Sequence, residues 1–172
     1  MKTEVLKKNK MYKVFNDIAL KNEIVVFGSD FTANFPFYEL SKKYLSSNAL
    51  YNRSIEGLTI LEAGEILDDC VFGAKPSKIF FAIGEHDAKD SSTLDAYKDI
   101  VKKTKNALPL SKIYILSLCG CDTFNALLRS LCTDFGTEFI NIDYKKSAEA
   151  IFRQLLPFFR NSRINFCEAF NI

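Results

Sequence analysis

The side chains best suited to chemistry fall in three short segments of this 172-residue chain: Gly28-Ser29-Asp30, the stretch from Asn52 to Thr59 that contains Gly57, and Gly84-Glu85-His86-Asp87. A hydroxyl, an imidazole and a carboxylate are the groups of a nucleophilic triad. The hydroxyl attacks, the imidazole takes its proton, and the carboxylate orients the imidazole. Ser29, His86 and a carboxylate such as Asp30 or Asp87 supply those types. A simpler arrangement of the same groups is a hydrogen bond from His86 to Asp30 with no chemistry attached. His86 is the single histidine of the sequence, so any mechanism with an imidazole base must use it.

Elements of alternating kind position these segments. Continuous apolar runs at residues 23–28, 77–84, 112–118 and 137–142, with a weaker one at 48–52, read as strands of a parallel sheet buried on both faces. Amphipathic helices fill the gaps. The first runs from Thr59 to Cys70, with Ile60, Leu61, Ala63, Ile66 and Leu67 inward and Thr59 with Glu62 as a capping box. A second places Leu94, Tyr97, Ile100, Val101, Thr104 and Leu108 on one face. The segment 122–135 aligns Phe124, Leu127, Leu128 and Leu131, and 145–159 aligns Ala148, Ile151, Phe152, Leu155 and Leu156. A further helix precedes the first strand, within 3–21, with Val5, Leu6, Val14, Phe15 and Ile18 as its apolar face. Strand–helix alternation predicts an α/β fold: a doubly wound, five-stranded parallel sheet of order 2-1-3-4-5, helices on both faces. Ligands of such sheets bind at the carboxyl ends of the strands. Ser29, Asp30, Gly57, Gly84, His86 and Asp87 all follow strands, so they are expected to converge there.

The three segments, in this order and each after a strand, resemble the SGNH/GDSL ester hydrolases over roughly residues 23–159. In that family a strand followed by Gly-Asp-Ser carries the nucleophile. An Asn-x-x-Ile-x-Gly-x-Thr segment gives an oxyanion-hole glycine, matched here by Gly57. A Gly-x-Asn-Asp segment gives an oxyanion-hole asparagine. The resemblance implies carboxylic ester hydrolysis and no cofactor. The chain departs from the pattern at three places. Serine and aspartate are exchanged, so Asp30 stands at the nucleophile position and Ser29 beside it. His86 replaces the asparagine. The Asp-x-x-His pair that supplies the family's base before the last helix is missing, since the chain passes from Ile142 through Asp143 almost directly into that helix. A serine hydroxyl is a poor nucleophile without a positioned base, so the expectation is a weak or inactive homologue that binds a small ester or an anion. An active small-ester hydrolase with a rebuilt Ser29–His86 site is the alternative. The segment 28–34 also resembles the phosphate loop of flavodoxins, which makes an anion- or nucleotide-binding module a third reading. Ala33 replaces that loop's glycine, and the chain has no tryptophan to stack on a flavin.

Composition narrows the setting. Hydrophobic residues make up 48% and charged residues 26%, ordinary for one globular domain over 1–172, with a core at 23–159 and a tail at 160–172. The net charge of +2 is too small to argue for nucleic acid or an anionic membrane. Lys7, Lys8 and Lys10 read as a solvated helix face. Lysines, asparagines and Asp17 interrupt residues 1–20, so no leader is read there and a cytoplasmic location is expected. No window approaches the length of a membrane span. Cys70, Cys119, Cys121, Cys132 and Cys167 are odd in number and irregularly spaced, which suits reduced, packed thiols and no metal site.

Overall fold

The computed structural model describes residues 2–45, 48–88 and 91–160. From residue 161 onward the expected C-terminal tail, Cys167 included, lies outside the described residues. Five strands form one sheet: β1 (Ile24–Gly28), β2 (Leu50–Asn52), β3 (Lys78–Ala82), β4 (Lys112–Leu116) and β5 (Glu138–Ile140). All neighbours are parallel, in the order β2-β1-β3-β4-β5. The helices are α1 (Thr3–Phe15), α2 (Asp30–Ala33), α3 (Phe37–Tyr44), α4 (Ile60–Glu65), α5 (Leu67–Cys70), α6 (Ser91–Ala107), α7 (Asp122–Phe135) and α8 (Ala148–Phe159). No described helix is long and apolar enough to cross a membrane.

Successive side chains of a strand point to opposite faces, and here both faces are apolar. Val25, Phe27, Ile79, Phe81, Ile113 and Ile115 face α1 and α4–α7. Ile24, Val26, Phe80, Ala82, Tyr114 and Leu116 face α3 and α8. Burial on both sides is why the strand sequences are unbroken apolar runs rather than alternating ones. The second face is rich in rings: Phe80 stacks on Tyr114 at 4.6 Å and meets Phe159 edge-on at 4.8 Å. Each fully buried side chain of this size contributes roughly 1.5–3 kcal/mol.

Two local devices fix the geometry around the sheet. A Cβ at Gly28 would stand 2.4 Å from both the Ala82 carbonyl oxygen and Thr32 Oγ1, so glycine is what lets β1 end against β3. At the opposite edge Lys78 is buried. Its ammonium donates to the carbonyls of Phe158, Phe159 and Arg160 at 2.8, 3.2 and 2.6 Å. It thereby caps the end of α8, and burial pulls its pKa down.

The helices differ from the sequence reading in four places. On α1 the buried residues are Val5 and Tyr12, two turns apart, while Leu6, Val14 and Phe15 are exposed, and Ile18, also exposed, lies beyond the helix end. Val14 lies about 200° round the helix from Tyr12 at 100° per residue. The Tyr12 hydroxyl settles which face turns inward by donating to the Ser54 carbonyl at 3.0 Å. The segment 59–70 breaks at Ile66 into α4 and α5, and Leu61 is exposed. The Thr59–Glu62 capping box is formed. Leu127 points outward on α7, where Cys132 takes a buried place. The sequence reading overlooked α3, although Phe37, Leu40 and Tyr44 repeat at i, i+3 and i+7.

Candidate functional site

The loops after β1, β2 and β3 are stitched to the sheet by their own backbones. Ser29 N–H donates to the Ala82 carbonyl at 3.0 Å, and Ile55 N–H to the Gly28 carbonyl at 3.0 Å. This register delivers Asp30 between the other two loops. Its Oδ1 accepts the Gly57 N–H at 2.6 Å, and its Oδ2 lies 3.0 Å from His86 Nε2. Gly57 has a φ of +69°, a conformation that suits glycine. Together these contacts hold the Asp30 carboxyl below its ordinary range. The Gly57 hydrogen bond is the largest cause, His86 and Ser29 add to it, and burial opposes it.

Ser29 is fully buried, and its Oγ sits 3.4 Å from Asp30 Oδ1. Among the described residues no hydrogen bond joins Ser29 to His86; the imidazole turns to Asp30 instead. Asp87 serves another purpose, because its Oδ2 accepts the Ile60 N–H at 2.9 Å at the start of α4. Its Oδ1 is buried without a partner, and burial pushes its carboxyl up. Gly84, at φ +123°, contributes backbone only, and a Cβ there would meet Leu118 at 3.0 Å. Gly57, His86 and Ser29 thus each meet Asp30, and Asp87 turns to Ile60 instead.

Glu85 is the residue that sequence reading missed, although it occupies the same turn as His86. Its carboxylate accepts the Phe31 N–H at 3.1 and 3.3 Å, holding the first turn of α2. Burial pushes its carboxyl up, and the charge of Asp30 adds to that rise. The ligand atoms of Asp30, Glu85 and His86 all lie within 4.8 Å of one another. One imidazole and two carboxylates are a donor set suited to a borderline cation such as zinc. Both carboxylates already hold backbone N–H groups. Cys119 and Cys121 follow β4 at the neighbouring loop, and they, Cys70 and Cys132 are free thiols. Burial pushes the Cys121 thiol up, away from reactivity.

A parallel sheet of this order, with its polar residues gathered after β1, β2 and β3, defines a class: the three-layer fold of the GDSL-type lipases and acylhydrolases, which this chain has. Among solved structures it is similar to a candidate platelet activating factor from Streptococcus pneumonia, at 20% identity and a TM-score of 0.77, covering 91% of this chain and 93% of that one. A candidate acylhydrolase from Bacteroides fragilis shares 14% identity at a TM-score of 0.68, covering 88% and 97%. The psychrotrophic esterase EstA from Pseudoalteromonas sp., in a structure inhibited by monoethylphosphonate, shares 19% at 0.62, covering 71% and 78%. No family model matches the sequence, and no curated protein matches it.

Proposed function

We propose that this protein is a hydrolytically silent relative of the SGNH/GDSL ester hydrolases that keeps a ligand pocket at the sheet edge. One observation carries the reading: the Asp30 carboxylate stands on the Gly57 N–H at 2.6 Å. An oxyanion hole works by offering N–H groups to the negative oxygen that develops during acyl transfer. Here the chain's own negative oxygen already uses that donor. His86 is spent on Asp30 rather than on a nucleophile, and Ser29 is buried with its hydroxyl toward the same carboxylate. Asp30 and Glu85 also repel a second anion. They favour a ligand that brings hydrogen-bond donors or a neutral ester over acetate, phosphate or sulfate.

The flavodoxin-like alternative is disfavoured because the Phe31 N–H, which a phosphate would need at α2, is given to Glu85. A colourless purified protein is the expected outcome. The active alternative, a rebuilt Ser29–His86 pair, is tested by hydrolysis of p-nitrophenyl acetate. The expected result is a background rate unchanged by Ser29→Ala or His86→Ala. A turnover near ~10 s⁻¹, typical of enzymes, that both substitutions abolish would overturn the silent reading.

A further inference from the structure

Away from this site, the least compensated charge among the described residues is Arg53, directly after β2. It is 3% exposed, and among the described residues it forms no ion pair. A guanidinium has five N–H donors. Here Nη1 reaches the Tyr12 carbonyl only at 3.4 Å and Nη2 reaches Asn16 Oδ1 only at 3.5 Å. Nε has no partner. The rings of Tyr12, Phe15 and Tyr51 surround the guanidinium carbon at 4.9, 5.7 and 5.7 Å. Such contacts stabilise a cation by roughly 0.5–2 kcal/mol each and leave its N–H groups unsatisfied. Buried charges are ordinarily paired, and this one awaits a counter-ion.

The Arg53 box borders a cavity of about 340 Å³, whose walls include Phe15, Ile18, Phe37, Tyr38 and Leu50. That volume lies within the range of small-molecule pockets, roughly 300–1,000 Å³. The cavity sits at the β2 edge of the sheet, between α1 and α3. Its lining contains none of Ser29, Asp30, Gly57 and His86. Ile18 and Tyr38, both in its lining, are 81% and 71% exposed, so large apolar surface stands open at its mouth.

We propose that this pocket binds a small amphiphilic anion: an oxyanion head group paired with Arg53, carried on an apolar chain or ring that lies among Phe15, Ile18, Phe37 and Tyr38. The planar fork of arginine matches a carboxylate in two parallel hydrogen bonds. The head group supplies the acceptors that Arg53 lacks, and the tail covers the exposed rim. Nothing in this reading depends on whether the Asp30 site turns over esters.

Titration calorimetry with decanoate below its micellar concentration, against decanol as the neutral control, tests the proposal. The full chain is expected to bind decanoate at least tenfold more tightly than decanol, and Arg53→Met to erase that difference while decanol binding survives. Arg53 is buried, so Tyr38→Asp at the exposed rim serves as a second variant that leaves the core intact. It is expected to weaken decanoate at least tenfold. Equal affinity for the acid and the alcohol, no binding of either, or decanoate binding indifferent to Tyr38→Asp would each overturn the proposal. Ester turnover is not read by this titration, so its failure and a failure of the silent-hydrolase reading are separate results.

Discussion

Asp30 Oδ1 and the backbone nitrogen of Gly57 lie 2.6 Å apart, joining the end of β1 to the loop after β2 through a charged acceptor. His86 adds a second contact to the other carboxylate oxygen at 3.0 Å. Asp30→Asn keeps an acceptor for Gly57 and removes the charge. Hydrogen bonds to charged groups are worth about 1.5–3 kcal/mol, and half exposure trims that toward ~1 kcal/mol. The sign in pH follows from the lowered Asp30 pKa. The stabilisation is present above the unfolded value, about 3.9, and is lost as pH falls through the lower folded value. Urea unfolding of both proteins from pH 7 down into acid is expected to show a gap that is full above about pH 5 and narrows as pH falls below the unfolded value. A gap of the same size at every pH would contradict the charge-based account.

Glu85 carries the opposite sign. Burial and the nearby Asp30 raise its folded pKa, so its contribution to stability is full below the unfolded value, about 4.3, and is lost as pH rises through the folded one. Glu85→Gln keeps an acceptor for the Phe31 N–H and removes the charge. At pH 7 the variant is expected to equal or exceed the parent, by a fraction of the ~1.4 kcal/mol that one pKa unit represents. Its advantage should vanish near pH 3. A variant clearly less stable than the parent at pH 7 would show that the carboxylate is needed as a charge.

Gly28→Ala tests the close approach of β1 to β3. With a Cβ 2.4 Å from the Ala82 carbonyl oxygen and from Thr32 Oγ1, a strand end must shift. Overpacking of this kind costs about 1–3 kcal/mol, occasionally more. Thermal unfolding is expected to show a loss in that range. An unchanged midpoint would mean that the junction can relax freely.

Thr59→Ala removes one half of the capping box that starts α4. Its side chain accepts the Glu62 N–H at 3.3 Å, and the Glu62 carboxylate answers at the Thr59 N–H. Loss of such a cap costs about 1 kcal/mol. Thr59→Ser should recover most of it. Chemical denaturation resolves the two, and equal stabilities for all three proteins would mean that packing alone holds α4.

The sheet was legible because period and burial agree: the apolar runs at 23–28, 77–84 and 112–118 admit only strands covered on both faces, and β1, β3 and β4 lie there. Helix faces were less legible where one polar contact chose the orientation. Nothing in the spacing of Val14 and Ile18 reveals that the Tyr12 hydroxyl anchors α1 to Ser54. At the site, position after a strand was enough to bring Asp30, Gly57 and His86 together on paper. The pairing itself was not, since a side chain's aim depends on the turn. Glu85 escaped notice because its task, holding an N–H of a four-residue helix, has no sequence signature. Arg53 escaped because its partners are rings from α1 and β2, separated from it in the first case by some forty positions.

The Lys78 ammonium, buried at the start of the central strand β3, takes its acceptors from residues 158–160. Some eighty residues of synthesis separate the donor from its carbonyls. Until α8 has left the ribosome, one whole face of the sheet, with Ile24, Val26, Phe80 and Tyr114, is covered mainly by the segment 31–45. A nascent chain halted before residue 148 therefore carries an apolar sheet face and an unmatched charge beside it. Such chains are the aggregation-prone kind. The sheet face is sealed only when α8 arrives, so α8 is the last of the described helices to close the domain.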